Sequence, residues 1–380
     1  MSEPLRVFVI GSQSFPDTLE WHVVDTLRHM GCAYELFDVR LTFGGARSFI
    51  SGAIGKLTQT LLREPERLTE KSLLRRVAEF EPSLVLVILG NQLSPKTVAR
   101  IRSVTNAPLV CWCQDQMTTL GRQYLLGAGY DAVFVKDRYL QDLFSRMIRS
   151  TAFHYLPEAC NPRVHRTVEP DQRELARLRC DVMIAASLYY YRQEILQQLE
   201  EFDLKVWGYR PDWLVNRLDC WHGGGEILMD EKARAMSAAR ICLNTLHFAE
   251  VDGLNCRAFE IAGCGGFQLI SSVPVLAQHF VPDREVVAFA SVEELVERIR
   301  HYLAYPEQAA AIARRGQARA HAEHTYEHRL VKIFDVALGR GEANRLISAS
   351  SSDSELESAE TGSQRALRNL PDSKGQTAVG

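Results

Sequence analysis

The chain has 380 residues, 46% hydrophobic and 24% charged, with a formal net charge of -3. That length and composition fit roughly two soluble domains, each able to fill a core. The charge balance excludes a global basic field for nucleic acid or anionic lipid, so any phosphate must be held locally.

Residues 7–10 form a short apolar run, too short for a signal-peptide core or a membrane span; it reads as a first strand ending at Gly11. The missing secretion signal points to a cytoplasmic, reducing compartment. The nine cysteines agree: they are scattered and lack any CxxC pair, the pattern of buried thiols. A helix follows, with Asp17 as the expected N-cap, apolar residues at 19, 23, 24, 27 and 30, and Gly31 at its C-terminal glycine position. Residues 34–39 read as the next strand, whereas 41–68 show no assignable pattern. The runs 84–89, 108–113 and 132–135 are apolar throughout, as strands covered on both faces are. Helical patterns between them predict a doubly wound parallel sheet.

The alternation then restarts. Strands are expected at 181–186, 204–207, 241–245, 267–271 and 285–289, and helices at 190–202, 231–240, 255–264, 292–304, 306–321 and 326–338. Residues 209–225, rich in Trp, Gly and Pro, read as loop. From 339 onward Ser, Glu and Gly dominate, so a disordered tail is expected at 340–380. The predicted organisation is an α/β chain with an N-terminal Rossmann-like domain over 1–160, a C-terminal one over 171–338, and a join at 157–170. Neither a P-loop nor a GxGxxG motif occurs.

Residues 255–267, Asn-Cys-Arg-Ala-Phe-Glu-Ile-Ala-Gly-Cys-Gly-Gly-Phe, concentrate the chemistry. On a helix Ala258, Ile261 and Ala262 share an apolar face, and Arg257 and Glu260 lie three apart on another. The small residues at its end allow close backbone approach, and a carboxylate there can accept hydrogen bonds from two neighbouring ribose hydroxyls. By periodicity alone, an exposed Arg–Glu pair with a glycine cap fits better.

Residues 243–338 resemble the C-terminal part of the CgeB-like, spore-maturation type of glycosyltransferase, a branch of the GT-B group-1 enzymes. Asn255, Arg257, Phe259 and Glu260 are similar to that family's N-x-R-x-F-E helix, and Gly263-Cys264-Gly265 to its small-residue end. Residues 295–303 with Pro306-Glu307, and His324-Thr325-Tyr326 with Arg329, resemble its closing segments in order and spacing. The resemblance implies a GT-B fold: two Rossmann-like domains facing a central cleft, the donor nucleotide mainly on the C-terminal one, and a last helix that crosses back. It also implies a retaining glycosyltransferase, without metal or other cofactor. Its co-substrate would be a nucleotide sugar and its acceptor an unidentified glycan, protein or small molecule.

In related retaining enzymes an acid, seven residues and a glutamate precede a glycine turn; the second acid binds ribose and the first lies near the sugar. Glu260 occupies the second position and Asp252 the first, where aspartate departs from the usual glutamate. A diphosphate needs cations or helix N-termini, and the family uses an arginine shortly after the first strand of its C-terminal domain. Arg192 is the match, and its first-turn position opposes the helix dipole unless an anion is bound there. Asn255, Arg257 and Gly265 complete the donor-binding set on that side. Gly11 and Ser12 end the first strand, where ligands approach parallel sheets. Asp115, in a Trp-x-x-Asp pattern with Trp112 that the family often shows, is either a group that orients or deprotonates an acceptor hydroxyl or a plain helix N-cap.

Other features are weaker. His321, His324 and His328 have helical spacing compatible with a metal, but no cysteine or carboxylate set completes a site, so they read as surface-helix residues. Tyr189, Tyr190 and Tyr191 lack the basic surround of a nucleic-acid platform, and Trp207, Trp213 and Trp221 read as core or cleft wall. Two rival functions remain open: a GT-B sugar-nucleotide epimerase, and a non-catalytic sugar-nucleotide-binding protein.

Overall fold

The structure is a computed structural model that describes residues 4–12, 16–39, 66–89, 93–117, 120, 123–209 and 222–339, with backbone alone at 66–69 and 222. Trp213, Trp221, most of the unassigned stretch at 41–68 and the expected tail at 340–380 lie outside the described residues.

Strands β1 (Arg6–Gly11), β2 (Ala33–Asp38), β3 (Leu84–Ile88), β4 (Leu109–Cys113), β5 (Ala132–Val135) and β6 (Ala152–Tyr155) form one sheet in the order β2-β1-β3-β4-β5-β6. Strands β7 (Val182–Ala185), β8 (Leu204–Trp207), β9 (His222–Gly224), β10 (Ile241–Asn244), β11 (Gln268–Ser271) and β12 (Val287–Phe289) form a second, in the order β12-β11-β10-β7-β8-β9. Every pairing is parallel. The fold is therefore α/β with two Rossmann-like sheets.

Burial on both faces explains the uninterrupted apolar strands. Leu84, Leu86 and Ile88 of β3 pack with Val23 and Leu27 of helix Leu19–His29. Val85 and Val87 face the other way, onto Leu73 and Val77 of helix Glu66–Phe80 and Val98 and Ile101 of helix Pro95–Arg102. In the second sheet Val182, Ile184, Leu204, Ile241 and Leu243 pack beneath helices Val292–Ala304 and Pro306–Glu323. The final helix, Tyr326–Leu338, follows the second sheet in sequence but buries Tyr326, Leu330, Ile333 and Phe334 in the core of the first. The edge strands β6 and β9 escape sequence reading because Ala-Phe-His-Tyr and His-Gly-Gly carry no continuous apolar run.

The chain between the sheets is clamped to the start of that final helix. The Cys160 amide donates to the His324 carbonyl at 2.9 Å, and the Tyr326 amide to the Cys160 carbonyl at 3.1 Å. Arg329 Nε donates to the carbonyls of Pro157 and Glu158 at 3.0 and 3.1 Å. Among the described residues no helix is long and apolar enough to cross a membrane.

One local expectation is corrected. Asp17 does not cap its own helix; Thr18 does, its hydroxyl accepting the Trp21 amide at 3.3 Å. Asp17 sits one residue earlier with φ 69°, its carboxylate shared between His22 and the more distant Met229 and Lys232.

A candidate functional site at the switch point of the second sheet

The winding of the second sheet reverses between β7 and β10, the place where parallel sheets open a crevice at their carboxyl ends. Helix Tyr190–Gln197 starts there without a side-chain cap. Its third residue, Arg192, is only 3% exposed. Arg192 Nε donates to Thr245 Oγ1 at 2.7 Å and Nη2 to the Thr245 carbonyl at 3.0 Å, while Nη1 donates to the Ser187 carbonyl. The guanidinium lies over the Tyr189 ring, 4.4 Å from its centroid. Burial, reinforced by the neighbouring Arg257 charge, pushes its pKa down to about 9. Arg192 is therefore a buried cation at a helix start, not a solvated first-turn residue.

Arg257 approaches from helix Cys256–Gly263 and donates to the same Thr245 carbonyl at 3.5 Å and to Asn244 Oδ1 at 3.3 Å. Neither arginine forms an ion pair with a described residue. Asn244 is held in turn by Asn255: each amide nitrogen donates to the other's oxygen, at 3.0 and 2.9 Å. Asn255 is also the N-cap of its helix, its Oδ1 accepting the Ala258 amide at 3.2 Å. Asn255 thus supports the Arg257 contact rather than standing free beside it.

Glu260, one turn along, is 4% exposed. Its Oε2 accepts from Lys232 Nζ at 3.0 Å, and the same Nζ lies 2.8 Å from Asp17 Oδ2. Asp17 Oδ1 accepts from His22 Nε2 at 3.0 Å, with His165 Nε2 at 3.5 Å; His165 Nε2 is 3.8 Å from Glu260 Oε1. Burial alone would raise both carboxyl pKa values. The Lys232 ammonium and His165 instead hold Glu260 below its ordinary range, and His165, His22 and Lys232 do the same more strongly for Asp17.

Asp17, His22, His165 and Glu260 bring four potential metal-ligand atoms within 4.8 Å of one another. The hydrogen bonds argue against using them so. His165 Nδ1 accepts the Asn161 amide at 2.9 Å, which leaves the proton of the neutral ring on Nε2. Ligation through Nε2 needs the opposite tautomer, with Nδ1 donating. The cation that suits this cluster is the Lys232 ammonium already between the carboxylates.

Residues 192–335 match the family model described as glycosyl transferase-like, and Arg192, Arg257 and Glu260 all fall inside the match. A search among curated proteins finds no significant match. Among solved structures, sucrose-phosphate synthase from Thermosynechococcus elongatus superposes with a TM-score of 0.64 at 14% identity, covering 91% of this chain and 100% of that one. HepE of Anabaena, solved in complex with UDP-glucose, gives a TM-score of 0.58 at 13% identity, with 91% and 100% covered. A UDP-forming α,α-trehalose-phosphate synthase from Burkholderia xenovorans, in complex with glucose-6-phosphate, gives 0.59 at 10% identity, with 87% and 100% covered. The chain carries a glycosyl transferase-like domain on a GT-B fold.

In this GT-B frame the remaining expected residues are placed as follows. Asp252 Oδ1 accepts the Val275 amide at 2.7 Å, and the Asp252 carbonyl accepts the Arg138 amide at 2.8 Å; its carboxylate is engaged in joining loops. Asp115 is exposed at the carboxyl end of β4. Gly11 packs against Glu20, and the Ser12 amide donates to Glu20 Oε1 at 2.9 Å, so that strand-end amide is already taken. Gly265 adopts φ 74° at the far end of the Cys256–Gly263 helix, where a Cβ would meet Thr167 Oγ1 at 2.8 Å.

His321, His324 and His328, expected on one surface helix, are divided between the end of helix Pro306–Glu323 and the start of helix Tyr326–Leu338. His321 Nε2 bonds the His165 carbonyl, His324 Nε2 the His279 carbonyl, and His328 closes a capping box with Thr325. His324 is buried, not on the surface. Trp207 is core.

Several buried charged residues went unread in the sequence. Lys136 donates to Glu250 Oε1 at 2.6 Å, a buried pair linking the end of β5 to the loop after β10, and Glu250 Oε2 has no hydrogen-bond partner. Burial pushes the nearby Glu158 carboxyl up to about 8, against the pull of Lys136. Lys232 looked like an ordinary polar position on an amphipathic helix.

Proposed function

We propose that the protein is a CgeB-like GT-B glycosyltransferase that takes a nucleotide sugar and transfers its sugar, with retention and without a metal, to an acceptor hydroxyl in the cytoplasm. The observation that carries this reading is the convergence of Arg192 and Arg257 on the Thr245 carbonyl at the switch point. Two guanidinium groups held side by side, neither in direct ion-pair contact with a carboxylate among the described residues, repel each other, and a bound diphosphate relieves that repulsion.

The donor diphosphate lies between these arginines, with Glu260 facing the ribose. Glu260 Oε1 keeps lone pairs for the ribose hydroxyls, because Lys232 takes the other oxygen. As the bond from the anomeric carbon to phosphate oxygen lengthens, the leaving diphosphate gains charge. The paired cations then bind that state more tightly than the ground state. The acceptor hydroxyl oxygen forms the new bond to the anomeric carbon on the face the diphosphate leaves, and its proton passes to the departing phosphate oxygen. Asp115, exposed on the facing sheet, is the candidate for orienting that hydroxyl. Glu250, with one carboxylate oxygen unpartnered, takes the place near the sugar for which Asp252 was the match by spacing.

A panel of nucleotide sugars, screened first by thermal shift and then for transfer or donor hydrolysis, tests the reading. Stabilisation of about 2.7 kcal/mol is expected at a hundred times the dissociation constant. Isomerised donor in the absence of acceptor would indicate an epimerase, and binding with neither transfer nor hydrolysis a non-catalytic protein.

A further inference from the structure

Lys232 is nearly buried between carboxylates that belong to different halves of the molecule: Asp17, in the loop after β1, and Glu260, on helix Cys256–Gly263. Asp17 does more than pair with it. Asp17 Oδ2 also accepts the Met229 amide at 3.1 Å, at the first turn of helix Met229–Ala238, whose N-cap Leu228 has no capping side chain. An anion from one half thus supplies the missing cap of a helix in the other. Both ends of that bond are strained: Asp17 has φ 69° and Met229 φ 53°, left-handed conformations that side-chain-bearing residues rarely adopt unless their surroundings impose them. His22 and Asn161 hold the arrangement from behind, with His22 Nδ1 3.3 Å from Asn161 Nδ2.

We propose that Asp17 and Lys232 are positioning residues that orient and ionise the ribose-binding carboxylate Glu260, so that the donor site is complete only when the two halves are docked. This rests on the reading of Glu260 as the ribose ligand. Without Lys232, two buried carboxylates face each other and share a proton, so Glu260 enters the neutral pH range partly protonated. With Lys232 present it stays ionised. The other titratable groups facing the cluster are His22, His165, Cys256, Cys264, Glu158 and Tyr326.

The test is calorimetric binding of UDP, GDP, ADP, CDP and dTDP to the full chain, followed over pH with the tightest of them. The proteins are wild type and the Lys232→Met, Lys232→Arg, Asp17→Asn and Glu260→Gln variants. Wild type is expected to bind with little change between about pH 7 and pH 8, where every carboxylate held by Lys232 is ionised and Arg192, pushed down to about 9, keeps its charge. Lys232→Met is expected to bind about tenfold more weakly at pH 7 and to recover as pH rises, one pKa unit being a factor of ten. Lys232→Arg should restore the flat profile. Asp17→Asn should weaken binding while keeping the profile flat, since Glu260 retains its cation.

Should Lys232→Met not fold, Lys232→Arg and Asp17→Asn decide the matter; an Asp17→Asn protein with wild-type affinity overturns the proposal. So does a Lys232→Met protein whose affinity and pH profile match wild type while Glu260→Gln binds weakly, an outcome that leaves the ribose reading standing. If none of the diphosphates binds wild type, or Glu260→Gln binds like wild type, the ribose reading falls and the proposal with it.

Discussion

Arg192 and Arg257 reach one backbone oxygen, the Thr245 carbonyl, at 3.0 and 3.5 Å. They arrive from different helices, after β7 and after β10, so the sheet topology rather than sequence proximity brings them together. A carbonyl has two lone pairs and accepts both donors, but it carries only a partial negative charge. Under the proposed function the donor diphosphate supplies the full anion.

Arg192→Ala should therefore lower turnover more than it raises the apparent donor constant. The loss expected for removing one such donor is on the order of a hundredfold or more. Arg192→Lys should recover only part, because an ammonium cannot span Thr245 and Ser187 with a planar fork. Turnover by the alanine variant at the wild-type rate with saturating donor would make Arg192 a structural arginine.

Glu260→Gln should weaken nucleotide binding and leave the fold in place, as followed by calorimetry and circular dichroism. The amide keeps the shape and an acceptor for Lys232, which still has Asp17 at 2.8 Å. Unchanged nucleotide affinity would remove the ribose assignment.

How much of this was legible beforehand depended on range. Runs such as Leu84–Ile88 announce a doubly covered strand because every position is apolar, and Asn255 reads as a cap because its partner, Ala258, is three residues away. Asp17 has the same cap-like look, yet its partners Met229 and Lys232 lie more than two hundred residues on. No period in the chain encodes such a contact. Arg192 was singled out only through the family resemblance, and Glu260 acquired more weight from it than from its periodicity. Lys232, Glu250 and Glu158 had no local signal, since an isolated lysine or glutamate on a helix or loop reads as solvated until a second segment is laid over it. Asp252 keeps the spacing from Glu260 that the resemblance implies, and the contact that the spacing does not announce is the Val275 amide on its Oδ1.

Asn255→Ala should cost stability and donor affinity together. The cap alone is worth about 1 kcal/mol, and the buried Asn244 amide left without its reciprocal partner adds about 1–3 kcal/mol. Because Asn244 also accepts from Arg257, nucleotide affinity should fall as the denaturation midpoint does. A variant that loses stability but binds as wild type would show that Arg257 holds its position without Asn244.

Acid should destabilise the protein in a window set by two buried histidines, His279 and His324. Burial pushes His279 down to about 3, helped by His324 and Arg329, and His324 down to about 4, helped by Arg329. Their rings lie 5.1 Å apart beside Phe259, and Tyr155 Oη and His279 Nε2 are 2.8 Å apart. Both are neutral in the folded protein at pH values where the unfolded chain, with histidines near 6.5, binds protons. Between those limits the unfolded state takes up more protons, so stability falls as pH falls from about 6.5 toward 4. Above about 7 neither histidine contributes a slope, both states being neutral there. Urea midpoints measured across this range should decline on the acid side, and His324→Gln, which keeps a donor for the His279 carbonyl, should flatten the decline. An equally steep decline in that variant would place the acid sensitivity in the carboxylates instead, with the Asp17–Lys232–Glu260 cluster the first to examine.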